Sequence, residues 1–287
     1  MVSVIIPTFN REKTVLASVK SVLDQTESDL EVLIVDDGST DRTASLIQQI
    51  SDPRVKYIYQ ENSGACAARN NGIHHAQGEY IAFHDSDDIW HPDKLEKQLK
   101  IISQYDPDIV CCKLCYRNSD GTVEVTPPHL KEGFLKEGEN LFGIGTVSLL
   151  AKQKVFQQFE FDPEFPRYQE MELLYRAIGK YSIYCIDEGL IDCTRSPDAI
   201  SANPEKIYRA CLLLAQKHPE LQGQRSALSR KIAWDLLQAA GELRHESKKT
   251  TYKSVKLARA FYNATPFFLR GVLIEAGLYD AVRRLIK

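Results

Sequence analysis

The chain has 287 residues, 43% hydrophobic and 26% charged, with a net charge of −3. That length holds one α/β domain with an appendage, or two modest domains, and the composition is that of an ordinary globular chain. No run of 18 uncharged apolar residues is present to span a bilayer, and the weakly acidic balance excludes nucleic acid as the main partner.

In chain order, residues 2–6 form a short, mainly apolar run entered without a basic stretch or cleavage site, which predicts a buried strand and no secretion signal. A helix is expected over 12–23, where Val15, Val19 and Val22 recur at helical spacing. A second buried strand follows at 32–35. Gly38-Ser39-Thr40-Asp41 then turns the chain and caps a helix over 43–50. A third helix is expected over 65–76 and a third strand over 80–83. Pro92 suits the first turn of a helix over 93–104. Strands at 109–116 and 122–126 flank Asn118-Ser119-Asp120-Gly121, a hairpin signal that makes the sheet mixed. Gly143 and Gly145 precede a strand-like run, Thr146 to Leu150.

Beyond about Asn203 strand signals stop, and stripes such as Leu228, Ile232, Leu236, Ala240 and Leu243 predict helices. The expected division is therefore an α/β domain over 1–203 and a helical extension over 204–287. From 248 to 287 nine basic residues face only Glu275 and Asp280. An apolar face over 267–286, with Phe268, Val272, Ala276, Tyr279 and Ile286, must cover something. Two readings stay open for this basic tail: docking on the rest of the chain or on a second copy in a homodimer, or a helix lying on an anionic membrane surface.

Seven cysteines, an odd and scattered number, speak against a disulfide framework and for a reducing, cytoplasmic setting. Cys111, Cys112 and Cys115 lack further ligands at a zinc spacing and are read as core. His84 and His91 flank the acidic turn and are read as packing or hydrogen-bonding groups, not metal ligands.

Acids end two of the strands: Asp36 and Asp37 after the second, and Asp85, Asp87 and Asp88 after the third. In open α/β sheets ligands bind at that edge. Mg²⁺ takes one or two carboxylates and leaves its other positions to water and phosphates, a demand that Asp-x-Asp meets. The competing reading is a turn that caps the helix after Pro92, with Asp88 as the cap.

Four segments in order decide between them. These are residues 2–11 (Val-Ser-Val-Ile-Ile-Pro-Thr-Phe-Asn-Arg), residues 35–41 (Val-Asp-Asp-Gly-Ser-Thr-Asp), Asn62-Ser63-Gly64 running through Ala68-Arg69-Asn70-Asn71-Gly72 into Asp85-Ser86-Asp87-Asp88, and Asp162-Pro163 with Gln169-Glu170. Together, over about residues 2–200, they resemble glycosyltransferase family 2. The resemblance implies the GT-A fold, a Rossmann-like mixed sheet flanked by helices, here with an all-helical C-terminal extension.

The resemblance also assigns roles. Pro7, Thr8 and Phe9 with Asp37 would hold the nucleotide base, and Asp85 would lie near the ribose with Ser86 beside it. Asp87 would ligate Mg²⁺ or Mn²⁺, and Arg69 would face the acids or the diphosphate. Glu170 stands where the family has an aspartate general base, and Gln169 replaces the glutamate before it. Asp36 and Arg195, the latter in a late motif near the phosphates, complete the set.

The implied activity is inverting, metal-dependent transfer of a hexosyl or N-acetylhexosaminyl group from a nucleotide sugar, a UDP-sugar by family frequency. The acceptor would be a glycan or lipid-linked hydroxyl, in polysaccharide, cell-surface glycan or glycolipid synthesis, in the cytoplasm or at the inner membrane face. Two alternatives come from other classes. A nucleotidyltransferase would bring a Gly-rich phosphate loop that residues 7–11 lack. A non-catalytic nucleotide-sugar binder or scaffold is suggested by the Gln169-Glu170 departure.

Overall fold

The computed structural model describes residues 1–118, 120–194, 203–223, 226–243 and 248–261. Arg195 and the tail expected over 267–286 lie outside the described residues.

The first strands are buried along their whole length, β1 over Val2–Thr8 and β2 over Leu30–Asp36. Their largely apolar runs suit strands that are covered on both faces, and the buried Ser3 of β1 donates to Glu31 of β2. β3 (Val55–Tyr59), partly exposed and not evident from the sequence, extends the sheet beyond β2. β4 (Tyr80–Phe83) pairs with the other side of β1, and all of these pairings are parallel. The connections contain α1 (Val15–Leu23), α2 (Thr43–Ile47) and α3 (Ala65–His75). α1 begins three residues later than its apolar spacing predicts. Glu12 instead accepts from the Arg42 Nε at 3.1 Å, and the Arg11 amide donates to Thr43 Oγ1 at 2.7 Å.

The second half of the sheet is built from β5 (Ile89–Trp90), β6 (Ile109–Arg117), β7 (Val123–Thr126), β8 (Gly133–Phe134), β9 (Leu150–Lys152) and β10 (Ile183–Cys193). The order is β3-β2-β1-β4-β9-β6-β10-β5, with β7 on β6 and β8 on β10. β9 is antiparallel to both neighbours, β10 is parallel to β6, and β5 is antiparallel to β10, so the sheet is mixed as expected. Helices α4 (Lys94–Tyr105), α5 (Gln153–Gln158) and α6 (Gln169–Ala177) belong to this half. The β6–β7 hairpin forms where predicted, with Gly121 at φ +85° and its amide donating to Asn118 O.

Alternate residues of one strand face opposite layers. Val4, Ile6, Val32 and Ile34 join Val15, Val19 and Val22 of α1 in one core cluster. On the other side the Phe83 ring meets Phe156 and Phe161 edge-on, with centroids 5.2 Å apart in each case. Burying each such side chain contributes about 1.5–3 kcal/mol of transfer free energy. Cys111, Cys112 and Cys115 are free and buried, as core residues.

Backbone approach is closest at Gly78, where an added Cβ would sit 2.7 Å from Ser3 N and 2.8 Å from Met1 O. Backbone cannot yield as a side-chain tip can. Gly78→Ala is therefore expected to cost about 1–3 kcal/mol, read as a lower urea midpoint at unchanged slope.

The run Thr146 to Leu150 is not one strand. Thr146–Ser148 is a single 3-10 turn, and β9 begins only at Leu150. The turn closes because the Ser148 amide and hydroxyl both donate to Gly145 O, at 2.9 and 2.7 Å. Local hydrogen bonding by a serine here outcompetes the strand ladder.

The chain divides into two compact units: residues 1–137, 143–163 and 169–195 form one, and residues 138–142, 164–168 and 196–287 the other. The second unit contains α7 (Pro204–Lys217), α8 (Ala227–Leu243) and α9 (Lys248–Phe261). Asn203 caps α7 by accepting from the Lys206 amide, with Pro204 in the first turn. Leu228, Ile232, Leu236 and Ala240 are buried as their spacing predicts. Tyr168, from one of the short segments, donates to Asp235 of α8 at 2.8 Å. Among the described residues no helix is long and apolar enough to cross a membrane.

Candidate active site

β2 and β3 lie to one side of β1 and β4 to the other, so the loops after β1 and β4 flank a topological switch point. Phe9, just past β1, is 43% exposed there, while Pro7 and Thr8 are buried. The Thr8 hydroxyl oxygen is buried without a hydrogen-bond partner, a polar group that a bound molecule could satisfy. Asn10 holds the loop in a left-handed turn (φ 53°), its amide donating to Ser39 Oγ and its side-chain oxygen accepting from the Thr40 amide.

The two acids after β2 have different surroundings. Asp36 is fully buried and accepts from the Ser39 amide and the Tyr57 hydroxyl, both at 2.8 Å, so it shapes the turn from inside. Asp37 Oδ1 accepts from Gln60 Nε2 (2.7 Å) and the Ser63 amide (2.8 Å), and Oδ2 from the Gly64 amide (2.8 Å). Asp37 thereby ties the start of α3 to the end of β2, and Oδ2 keeps room for one more donor.

After β4, Asp85 Oδ1 pairs with Arg69 Nη2 at 2.9 Å, and Asp87 Oδ2 lies 3.6 Å from Arg11 Nη2. Ser86 is buried between them. Burial, then the Asp85 charge, push the Asp87 carboxyl up against the opposing pull of Arg11. Burial, then Asp85 and Asp87, push Asp88 up to about 7. Asp88 does not cap α4, whose N-cap is Asp93. It accepts instead from the Thr194 amide at 3.3 Å and the Cys193 thiol at 3.4 Å, fastening the turn to the end of β10. Asp85 and Asp87 both reach solvent on this turn, and burial with neighbouring charge opposes ionisation of Asp87 and Asp88, a setting that suits a hard divalent cation such as Mg²⁺ or Mn²⁺.

Arg69 connects this turn to α6. Its Nη2 is held by Asp85 and its Nη1 donates to Gln169 Oε1 at 3.0 Å, while its buried Nε has no hydrogen-bond partner. Glu170 follows Gln169 in the first turn of α6 and receives a long contact, 3.5 Å, from Thr146 Oγ1. The Cys66 thiol of α3 senses the same neighbourhood: burial pushes it up to about 12, Arg69 opposes, and Glu170, Asp162 and Glu172 add to the rise. Glu172 is buried and paired twice with Arg176, at 2.7 and 2.8 Å, in an intrahelical structural role.

The sequence alone assigns no role to Arg11 or Gln169, and places Thr146 only in a run on the acceptor side of such sites. Arg11 and Gln169 stood inside the motifs, but neither the reach of Arg11 to Asp87 nor that of Arg69 to Gln169 has a local signal. Among the described residues His91, Cys115 and Asp192 form the one group of three with donor atoms mutually close enough to share a metal, and Asp85, Asp87 and Asp88 do not form another. His91 Nε2 and Asp192 Oδ1 are already paired at 3.1 Å, however, which accounts for their proximity.

A mixed sheet with its acidic turn at this switch point defines a GT-A glycosyltransferase fold. The solved structure of S. aureus TarS in complex with UDP-GlcNAc matches it with a TM-score of 0.68 at 19% identity, over 99% of this chain and 91% of that one. The sequence model "Glycosyl transferase family 2" matches residues 3–159. The chain belongs to glycosyl transferase family 2. An Escherichia coli UDP-Glc:alpha-D-GlcNAc-diphosphoundecaprenol beta-1,3-glucosyltransferase, WfgD, is 32% identical over 210 residues, covering 72% of this chain and 81% of that protein. An uncharacterized glycosyltransferase of Rickettsia conorii is 49% identical over 104 residues, 36% of this chain but only 17% of the relative's length.

Proposed function

We propose that this glycosyltransferase moves a sugar from a UDP-linked donor to a hydroxyl of a lipid-linked glycan, with inversion and with Mg²⁺ or Mn²⁺ bound. The donor and acceptor are argued from the relatives: the name of WfgD specifies a UDP-sugar and a diphosphoundecaprenol-linked acceptor, and TarS was solved with UDP-GlcNAc. A lipid-linked acceptor would bring the protein to the inner face of a membrane, with residues 1–203 as the transferase portion and 204–287 as the helical extension.

The observation that carries the reading is the Arg69 bridge, which sets the acids after β4 and the residue before Glu170 on one guanidinium. In this reading Phe9 packs against the base, Thr8 offers its unpartnered hydroxyl, and Asp37 accepts from the base through the free position on Oδ2. Asp85 lies toward the ribose and Asp87 holds the cation. The charge that grows on the departing diphosphate is what a divalent cation at Asp87 neutralises when bound. Glu170 takes the proton from the acceptor hydroxyl as its oxygen bonds the anomeric carbon and the bond to the diphosphate breaks. Arg69, bonded to Asp85 on one side and to the Gln169 carboxamide on the other, links the acidic turn to the start of α6.

The test is incubation with a panel of nucleotide sugars and a lipid-diphosphate-linked sugar acceptor, with Mn²⁺, Mg²⁺ or chelator, scoring UDP release and the anomeric configuration of the product. Acceptor-dependent release that stops with chelator is expected. Thermal stabilisation by UDP and metal without transfer or hydrolysis would instead identify a non-catalytic binder.

A further inference from the structure

Beneath the acidic turn lies a buried polar chain that the reaction itself does not use. Lys94, in the first turn of α4, is wholly buried, and among the described residues no carboxylate pairs with it. Its ammonium sits 3.8 Å from the centroid of the Trp90 ring and donates to Gln98 Oε1 at 2.8 Å. Burial pushes Lys94 down to about 8. Desolvating a lysine is expensive, and an apolar side chain of the same size would pack there at lower cost.

The chain extends in both directions. Toward the donor side, the Trp90 ring packs on the His84 ring with centroids 4.8 Å apart, and His84 is the residue immediately before Asp85. Ser21 Oγ serves both, accepting from the Trp90 amide at 3.2 Å and lying 3.5 Å from His84 Nε2, while Ser18 Oγ donates to the Asp85 carbonyl at 3.0 Å. Toward the acceptor side, Gln98 Nε2 donates to Val110 O at 3.1 Å and Ser148 O at 2.8 Å. Ser148 closes the turn whose Thr146 reaches Glu170.

We propose that Lys94 and Gln98 are positioning residues: with Trp90 they lock the turn bearing Asp85 and Asp87 and the turn bearing Thr146 into one buried frame that sets the spacing between leaving diphosphate and base. The proposal rests on the transfer reading above for its consequence, but not for its geometry. The Gln98 carboxamide is bonded at both ends, whereas Trp90 Nε1 and His84 Nδ1 have no hydrogen-bond partner, so the Lys94–Gln98 bonds and the ring packing specify the arrangement; a reacting pair loses rate steeply with small misplacement. Lys94 touches neither reacting group. Its effect must travel through Trp90 on one side and Gln98 on the other.

Lys94→Met keeps the length and volume and removes the donor; Gln98→Leu removes the carboxamide. Each is expected to lower kcat for transfer at least tenfold with donor KM within twofold, and to shift donor use from acceptor transfer toward hydrolysis. A fold that was merely weakened would recover kcat on cooling well below the melting temperature, and these variants will not.

Hydrogen exchange supplies a readout independent of turnover. In Lys94→Met the amides of Ser148 and Leu149 exchange at least tenfold faster, although Lys94 touches neither, and those of residues 84–90 do so too, while α3 is unchanged. Exchange at Ser148 and Leu149 equal to the parent's overturns the frame whether or not the parent transfers sugar. Parental kcat and transfer-to-hydrolysis ratio in both variants overturns its role in spacing. A parent that uses no nucleotide sugar fails the functional reading alone and leaves the exchange result to decide the frame.

Discussion

Asp87→Ala is expected to lower sugar transfer by about 10²–10³-fold or more, the loss typical when a preorganised group that stabilises leaving charge is removed, while the fold survives. The carboxylate is part exposed, and among the described residues its ion pair is with Arg11, at 3.6 Å, against the like charge of Asp85. Burial and the Asp85 charge already oppose its ionisation, so nothing in the core depends on it. Without added metal the melting temperature of the variant should equal or exceed that of the parent, because one repulsive charge is gone. With Mn²⁺ and UDP together the parent should gain stability in proportion to ligand over dissociation constant, and the variant should not. Arg11 would then be left to swing freely, or to pair with Asp85. Parental turnover in Asp87→Ala, or turnover in the parent that is indifferent to chelator, would sink the assignment of Asp87.

Glu170→Gln tests the opposite side. The amide has the shape of the carboxylate and can still accept from Thr146 Oγ1, so packing in the first turn of α6 is retained. A general base contributes about 10²–10⁴-fold, and a loss in that range is expected in kcat, with UDP binding and metal-dependent stabilisation unaltered. The contrast with Asp87→Ala is diagnostic: one variant binds donor and fails to activate the acceptor, the other fails at the diphosphate. Retention of more than half the parental kcat in Glu170→Gln would exclude Glu170 and leave the proton without an assigned acceptor. Glu172, two residues on, is buried with both its oxygens held by the Arg176 guanidinium and is not available to replace it.

Much of the first half of the sheet, with its acidic turn, was legible because its signals are local. A strand buried on both faces is mainly apolar, so 2–6, 32–35 and 80–83 announce themselves, and the acids that end such strands announce the edge where ligands gather. β3 and β10 were not legible. β3 is half exposed and lacks a clean period, and β10 changes register twice along β6, between Ile186 and Gly189 and between Gly189 and Asp192. Thr146 to Leu150 misled for another reason. Its residues favour a strand, but Ser148 satisfies Gly145 O locally and so forms the turn on which Gln98 and Glu170 depend.

Composition, periodicity and motif order thus determined by themselves the mixed α/β class, the helical C-terminal portion and the acidic turn where a cation is proposed. Only the tertiary structure could decide how the acids differ. Asp36 is enclosed by Ser39 and Tyr57, Asp37 binds the start of α3, Asp85 binds Arg69, Asp88 binds the end of β10, and Asp87 is left facing outward. The physical reason is that a carboxylate's role depends on which donors reach it and how much water is removed. Those donors come from residues as far as 106 positions away, whose approach is set by the sheet order rather than by neighbours in the chain.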